Sequence, residues 1–140
     1  LSRLIRYRDN HLNRKYSVVV GNGGLYVPQE LERGADGIMT GFAFTEMLVS
    51  LHNLFSNNDK EKAEDLFDIY LPLIRHEQQF GLGLALRKFV LQQRGIIKSL
   101  NVRSPGPVLT EDDIKEMNYL LKRLHLKLTE KGLTIPKGIN

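Results

Sequence analysis

Residues 18–41 read VVVGNGGLYVPQELERGADGIMTG, and this stretch decides the fold of the chain. Val18, Val19 and Val20 form an unbroken β-branched run with no polar alternation, the pattern of a strand covered on both faces, as in parallel sheets. Gly21, Asn22, Gly23 and Gly24 break that run. Pro28 suits the first turn of a helix and Gly34 its stop, which predicts a short helix over 29–33. A second apolar strand is expected over 37–40. Strand, glycine-rich turn, helix and strand in this order make a βαβ unit, with parallel strands and a right-handed crossover.

Outward from that unit the pattern is helical. Leu1, Leu4, Ile5 and Leu12 recur at helical steps, with Arg3, Arg6 and Asp9 off that face, so 1–12 reads as an amphipathic helix leaving through a turn over 10–15. A helix over 44–55 should bury Met47, Leu48, Leu51, Leu54 and Phe55, with Thr45 as its cap. The next, over 59–74, carries Ala63, Leu66, Phe67, Tyr70, Leu71 and Ile74 along one stripe, and Pro72 should kink it. A turn over 77–81 leads to a helix over 82–94 that Gly95 closes. Thr110 and Asp113 stand in capping-box positions at the start of the last helix, whose buried edge is Ile114, Met117, Leu121, Leu124 and Leu128. Gly132 stops it and the tail beyond is expected to be loose.

Two strands do not make a stable sheet alone. Both are apolar throughout and both should be buried, so they demand parallel neighbours from elsewhere. The expectation is the C-terminal part of a larger α/β protein; the alternative is a chain that lends its sheet to partner copies. An opening at Leu1 rather than Met, already inside a predicted helix, points the same way.

Composition narrows the function classes. With no cysteine there are neither disulfides nor thiolate metal sites. No apolar run approaches the roughly 18 residues of a membrane span and no signal segment opens the chain, so no membrane partner and a cytoplasmic location are expected. The net charge of +4 is scattered among acids at helical spacing, and Lys122, Arg123, His125 and Lys127 with Tyr119 are too sparse for a nucleic-acid surface. His76-Glu77 has Phe80 where a zinc helix needs its second histidine, and His11, His52 and His125 are scattered, so no metal or cofactor is expected. Tyr26 stands where a dinucleotide fingerprint needs its third glycine. Gly21 to Gly24 can be a tight turn needing positive φ, a substrate-lining loop, or a phosphate cradle at a helix start. Glu77-Gln78-Gln79 can cap a helix or line a barrel mouth.

The motifs Gly21-Asn22-Gly23 after a buried strand, Ala35-Asp36-Gly37-Ile38-Met39-Thr40-Gly41, Leu71-Pro72-Leu73 within a helix, and Arg103-Ser104-Pro105 before the last helix jointly resemble the dihydrodipicolinate synthase and N-acetylneuraminate lyase family. The resemblance spans nearly the whole chain. It implies an α/β fold, the C-terminal portion of a (β/α)8 TIM barrel: strands seven and eight with flanking helices over 1–56, then a C-terminal helical bundle over 57–140. It also implies a class I aldolase or related lyase, in which a lysine on strand six forms a Schiff base with pyruvate or another 2-keto acid. That lysine would lie upstream of Leu1, so no catalytic residue is assigned here and the chain alone is expected to be inactive.

By the same resemblance the substrate-lining residues are Gly21, Asn22, Gly23, Met39, Thr40 and Gly41, at the C-terminal ends of the strands, where such barrels carry their sites. Asn22 and Gly23 replace the acid that often meets substrate hydroxyls in the family, which leaves dehydration of a 2-keto-3-deoxy sugar acid beside aldol condensation or cleavage. The parent is expected to be a homo-oligomer, dimer or tetramer. The rival reading is a non-catalytic partial barrel for binding or assembly.

Overall fold

A computed structural model of the chain describes residues 1–13 and 15–139; Arg14, in the expected exit turn, and Asn140, the last residue of the expected helical extension, lie outside them. The elements run α1 (Ser2–His11), β1 (Val19–Val20), a 3-10 turn (Asn22–Gly24), α2 (Val27–Glu32), β2 (Gly37–Ile38), α3 (Thr45–Ser56), α4 (Lys60–His76), α5 (Gly83–Gln93) and α6 (Glu111–Glu130). They form two compact units, Leu1–Gly41 with Thr45–Phe67, and Phe42–Phe44 with Asp68–Asn140.

In the first unit β1 and β2 pair in parallel, Val19 opposite Gly37 and Val20 opposite Ile38. The ladder runs one bond further each way: Asp36 donates its amide to the Val18 carbonyl at 2.7 Å and Met39 to the Val20 carbonyl at 2.8 Å. The βαβ order is as the sequence predicts, but the strands are shorter. Their burial also differs from expectation. Val18 and Val20 are buried, while Val19 is 42% exposed and Met39, just past β2, is 72% exposed. Each strand has a single ladder partner among the described residues, so one face of the pair and both outer edges lack the covering a run of valines suits.

The first helix corrects a second expectation. Leu4 is 57% exposed, and the face turned inward is Ile5 with Arg8. Arg8 is tolerated there because its guanidinium is fully engaged: Nε meets Asp9 Oδ1 at 2.9 Å, Nη1 meets Asp36 Oδ2, and Nη2 donates to the Gly34 carbonyl at 3.3 Å. Asp36 Oδ2 also accepts the Val18 amide at 2.7 Å. One ion pair therefore ties α1 to the N-terminal ends of both strands, the end of a parallel α/β sheet that serves stability. α2 begins at Val27, two residues earlier than expected, with Pro28 in its first turn where the missing amide is harmless.

In the second unit the C-terminal part of α4, α5 and α6 bury Leu73, Ile74, Leu86, Phe89, Val90, Met117, Leu121, Leu124 and Leu128. Ile114 of the expected edge is only half-buried. The capping box at α6 forms as read: the Asp113 amide donates to Thr110 Oγ1 at 3.2 Å and Asp113 Oδ2 accepts the Thr110 amide at 2.7 Å. Hydrogen bonds from the Thr110 hydroxyl and amide hold the Asp113 carboxyl below its usual pKa. The tail beyond Gly132 is not loose. Ile139 is buried, its carbonyl lies 3.2 Å from His125 Nδ1, and Arg94 Nε donates to the Lys137 carbonyl at 3.4 Å. Sequence alone hides this docking because its partners lie 14 and 43 positions away.

Candidate functional site

Parallel pairing puts the C-terminal ends of β1 and β2 on the same side, so the turn over 21–24 and the segment over 39–41 emerge together. The turn is tight. The Gly24 amide donates to the Gly21 carbonyl at 3.0 Å and the Leu25 amide to the Asn22 carbonyl at 3.2 Å. Asn22, Gly23 and Gly24 all take positive φ, 49°, 62° and 90°. At Gly24 a side chain would meet the Thr40 methyl at 3.7 Å and Leu48 at 3.9 Å, so the turn packs close against the second strand's exit. Of the possible cradle donors, the Gly24 and Leu25 amides are engaged inside the turn, which counts against a phosphate cradle there.

Of the six residues expected to line the site, Met39 and Thr40 border an open groove of about 470 Å³ between β2 and α3, together with Ile38, Leu48, Val49 and His52. Gly21, Asn22, Gly23 and Gly41 are not in its wall. Asn22 and Gly41 are exposed, and Gly21 and Gly23 half-buried, at the strand ends. Thr40 Oγ1 is buried and has no hydrogen-bond partner. A buried hydroxyl left without a hydrogen bond destabilises the fold by about 1–3 kcal/mol. His52 was visible in the sequence only as one of several scattered histidines; its place beside Thr40 follows from α3 returning along β2. Neither strand ends in lysine. Among the described residues no group of three His, Asp or Glu side chains could hold a metal ion, and no helix is long and apolar enough to cross a membrane.

The second unit holds a titratable group that sequence reasoning left as a turn residue. Glu77, just past α4, has a fully buried side chain. Its nearest cation is Arg87, with Nε 3.4 Å from Oε2. Neither carboxylate oxygen closes a hydrogen bond of ordinary geometry, and Gln78 Nε2 and Arg87 Nε are likewise buried and without one. Burial pushes the Glu77 carboxyl up to about 8, with Arg87 and then the Ala43 amide pulling the other way. Gly83 opens α5 directly under the Glu77 carbonyl, where any side chain would collide with that oxygen. Nothing local in Glu77-Gln78-Gln79 signals this; the partners stand ten residues on, at Arg87, and far back, at Ala43.

No protein-family model matches the chain. In sequence it is 28% identical over 104 residues to the L-2-keto-3-deoxyarabonate dehydratase of Azospirillum brasilense, an alignment covering 74% of this chain and 33% of that protein. In structure it is similar to the dihydrodipicolinate synthase of Rhodopseudomonas palustris, with a TM-score of 0.82 and 44% identity over 87% of this chain and 40% of that one. The chain thus spans between a third and two fifths of the length of these relatives. The likeness fits a portion of a (β/α)8 barrel, rich in helices and poor in strands.

Proposed function

Because this chain resembles the dihydrodipicolinate synthase and N-acetylneuraminate lyase family in sequence and in backbone, we propose that it is the C-terminal part of a Schiff-base-forming lyase acting on pyruvate or another 2-keto acid. The observation that carries this reading is the shared exit of the two parallel strands, with the Gly24 turn packed against Thr40. In this reading residues 1–56 supply the barrel's seventh and eighth strands and 57–140 a helical extension. Gly21, Asn22, Gly23, Met39, Thr40 and Gly41 form one wall of the active site.

The chemistry requires a lysine amine that attacks the keto carbon and loses water to give a protonated imine, which then accepts the electron pair of the bond broken beside it. Neither β1 nor β2 ends in a lysine, so in this reading the imine-forming lysine belongs to sequence outside these 140 residues. The wall offered here is glycine backbone with its amides and carbonyls, one amide side chain, one threonine hydroxyl and the Met39 side chain, with no carboxylate. An amine or polyol that wants a carboxylate is less well served here, and dehydration or aldol chemistry on a 2-keto-3-deoxy sugar acid stands equal beside dihydrodipicolinate synthesis. The parent is proposed to be a cytoplasmic homo-oligomer.

Borohydride reduction in the presence of pyruvate tests the reading. A longer parent containing strand six should gain a covalent three-carbon adduct on one lysine, read by mass spectrometry, while the 140-residue chain gains none. An adduct on this chain would refute its incompleteness. A parent that never labels would be a non-catalytic binding or assembly barrel.

A further inference from the structure

The residues Phe42, Ala43 and Phe44 follow Gly41 directly in sequence and are held from several sides. The Ala43 carbonyl accepts Arg94 Nη1. The Arg94 guanidinium lies 4.7 Å from the centre of the Phe44 ring, within cation–π range. Tyr70 meets Phe44 edge-on at 5.5 Å and Phe42 at 6.3 Å. Every one of these contacts is independent of pH in the neutral range. A titratable group stands by the preceding peptide, Phe42–Ala43, where the Ala43 amide faces the buried Glu77 carboxyl without closing a hydrogen bond of ordinary geometry.

We propose that Glu77 is a proton-controlled positioning residue for the Phe42–Ala43 peptide: ionised, its carboxylate draws in the Ala43 amide and Arg87 Nε, and protonated, it releases them, Arg87 Nη2 keeping its contact with the Glu77 carbonyl at 3.5 Å. The geometry supports this because the carboxylate is fully buried, neither of its oxygens closes an ordinary hydrogen bond, and a single cation stands 3.4 Å away. A buried carboxylate so placed is poorly matched to permanent ionisation and equally poorly matched to permanent neutrality.

The surrounding charges do not substitute for it. From α5, Arg87 is the near cation and Arg94 is committed to the Ala43 and Lys137 carbonyls. Just before Glu77, at the end of α4, stand Arg75, which is exposed, and His76, whose Nε2 lies 3.7 Å from Glu116 Oε2 of α6. From α6, Asp113 has its carboxyl held down mainly by Thr110 and to a smaller degree by His76. Burial raises the Glu77 carboxyl to about 8, which places the change within the working range of a cell.

Carbon-13 NMR of the 140-residue chain between pH 5 and 10 decides it. The Glu77 side-chain carboxyl carbon should titrate with a midpoint near 8, and the Phe42 carbonyl carbon, one bond from the Ala43 amide, should move with the same midpoint while that of Leu124 in α6 stays still. Glu77→Gln should hold the Phe42 resonance at its low-pH position throughout. A Glu77 carboxyl that titrates in the ordinary carboxylate range, or a Phe42 carbonyl that does not follow it, overturns the proposal. Should Glu77→Gln fail to fold, the wild-type titration by itself still separates these outcomes, and neither result depends on borohydride labelling.

Discussion

Both compact units of this chain bury polar atoms without partners, but they do so for opposite structural reasons. In the first unit the orphan is the Thr40 hydroxyl, buried in the wall of an open groove beside strands that have one ladder partner each among the described residues. In the second it is the Glu77 carboxylate with its neighbours Gln78 and Arg87, enclosed among helices. A hydroxyl buried in the wall of an open groove can meet an outside molecule only if that wall shifts to uncover it. An unmet ionisable group in an enclosed interior has no such visitor, and what it can exchange is a proton.

The comparison can be broken most forcefully in the enclosed interior. Leu86 is fully buried, and Leu86→Ala should destabilise the chain by about 2–5 kcal/mol in urea melts, the range for emptying a packed site. A much smaller loss would mean that the helices of the second unit are loosely assembled. The proton account gives the next effect. The Glu77 carboxyl rises from 4.5 to about 8 on folding, so between those values the folded chain keeps a proton that the unfolded chain has lost. Stability should therefore fall as pH rises through that window, by up to about 1.4 kcal/mol per pH unit, and level off on either side. Glu77→Gln should erase the slope and leave the variant more stable than the wild type at pH 9.

The open unit should respond more weakly. Thr40→Val keeps the shape and removes the orphan, so it should be neutral or stabilising by about 1 kcal/mol, while weakening keto-acid binding in the proposed parent. Destabilisation by more than that would show that the hydroxyl is already satisfied. Smallest of all, Val19→Thr should stay within about 0.5 kcal/mol, because Val19 is 42% exposed in this chain. A larger loss would mean that Val19 is covered in solution, by a second copy or another segment, and sedimentation of wild type and variant would tell which.

The features legible in the sequence were those fixed by neighbours within a few positions. The βαβ order, the helix over 44–55 and the Thr110–Asp113 capping box follow from β-branched runs, helical stripes and caps, all local devices. The wider α/β reading came from motif order, and the likeness to known lyases agrees with it. What stayed hidden depended on distant pairing. Arg8 reads as one more charge on an amphipathic helix until Asp36, 28 positions away, explains its burial. Glu77 reads as a turn residue until Arg87 and the Ala43 amide are brought to it. The strand burial was misjudged for a related reason: an apolar run reports the environment it suits, and this chain supplies only one ladder neighbour for each strand.

The docked tail has a practical corollary for anyone handling this polypeptide. Arg94 grips the Lys137 carbonyl as well as the Ala43 carbonyl, and the backbone of Gly138 lies so close over Arg94 that any side chain there would clash. The last few residues are thus a latch rather than a trailing end, and trimming them to aid crystallisation, or replacing Gly138 when designing a cloning junction, would disturb a guanidinium whose other partner, Ala43, lies 51 residues upstream.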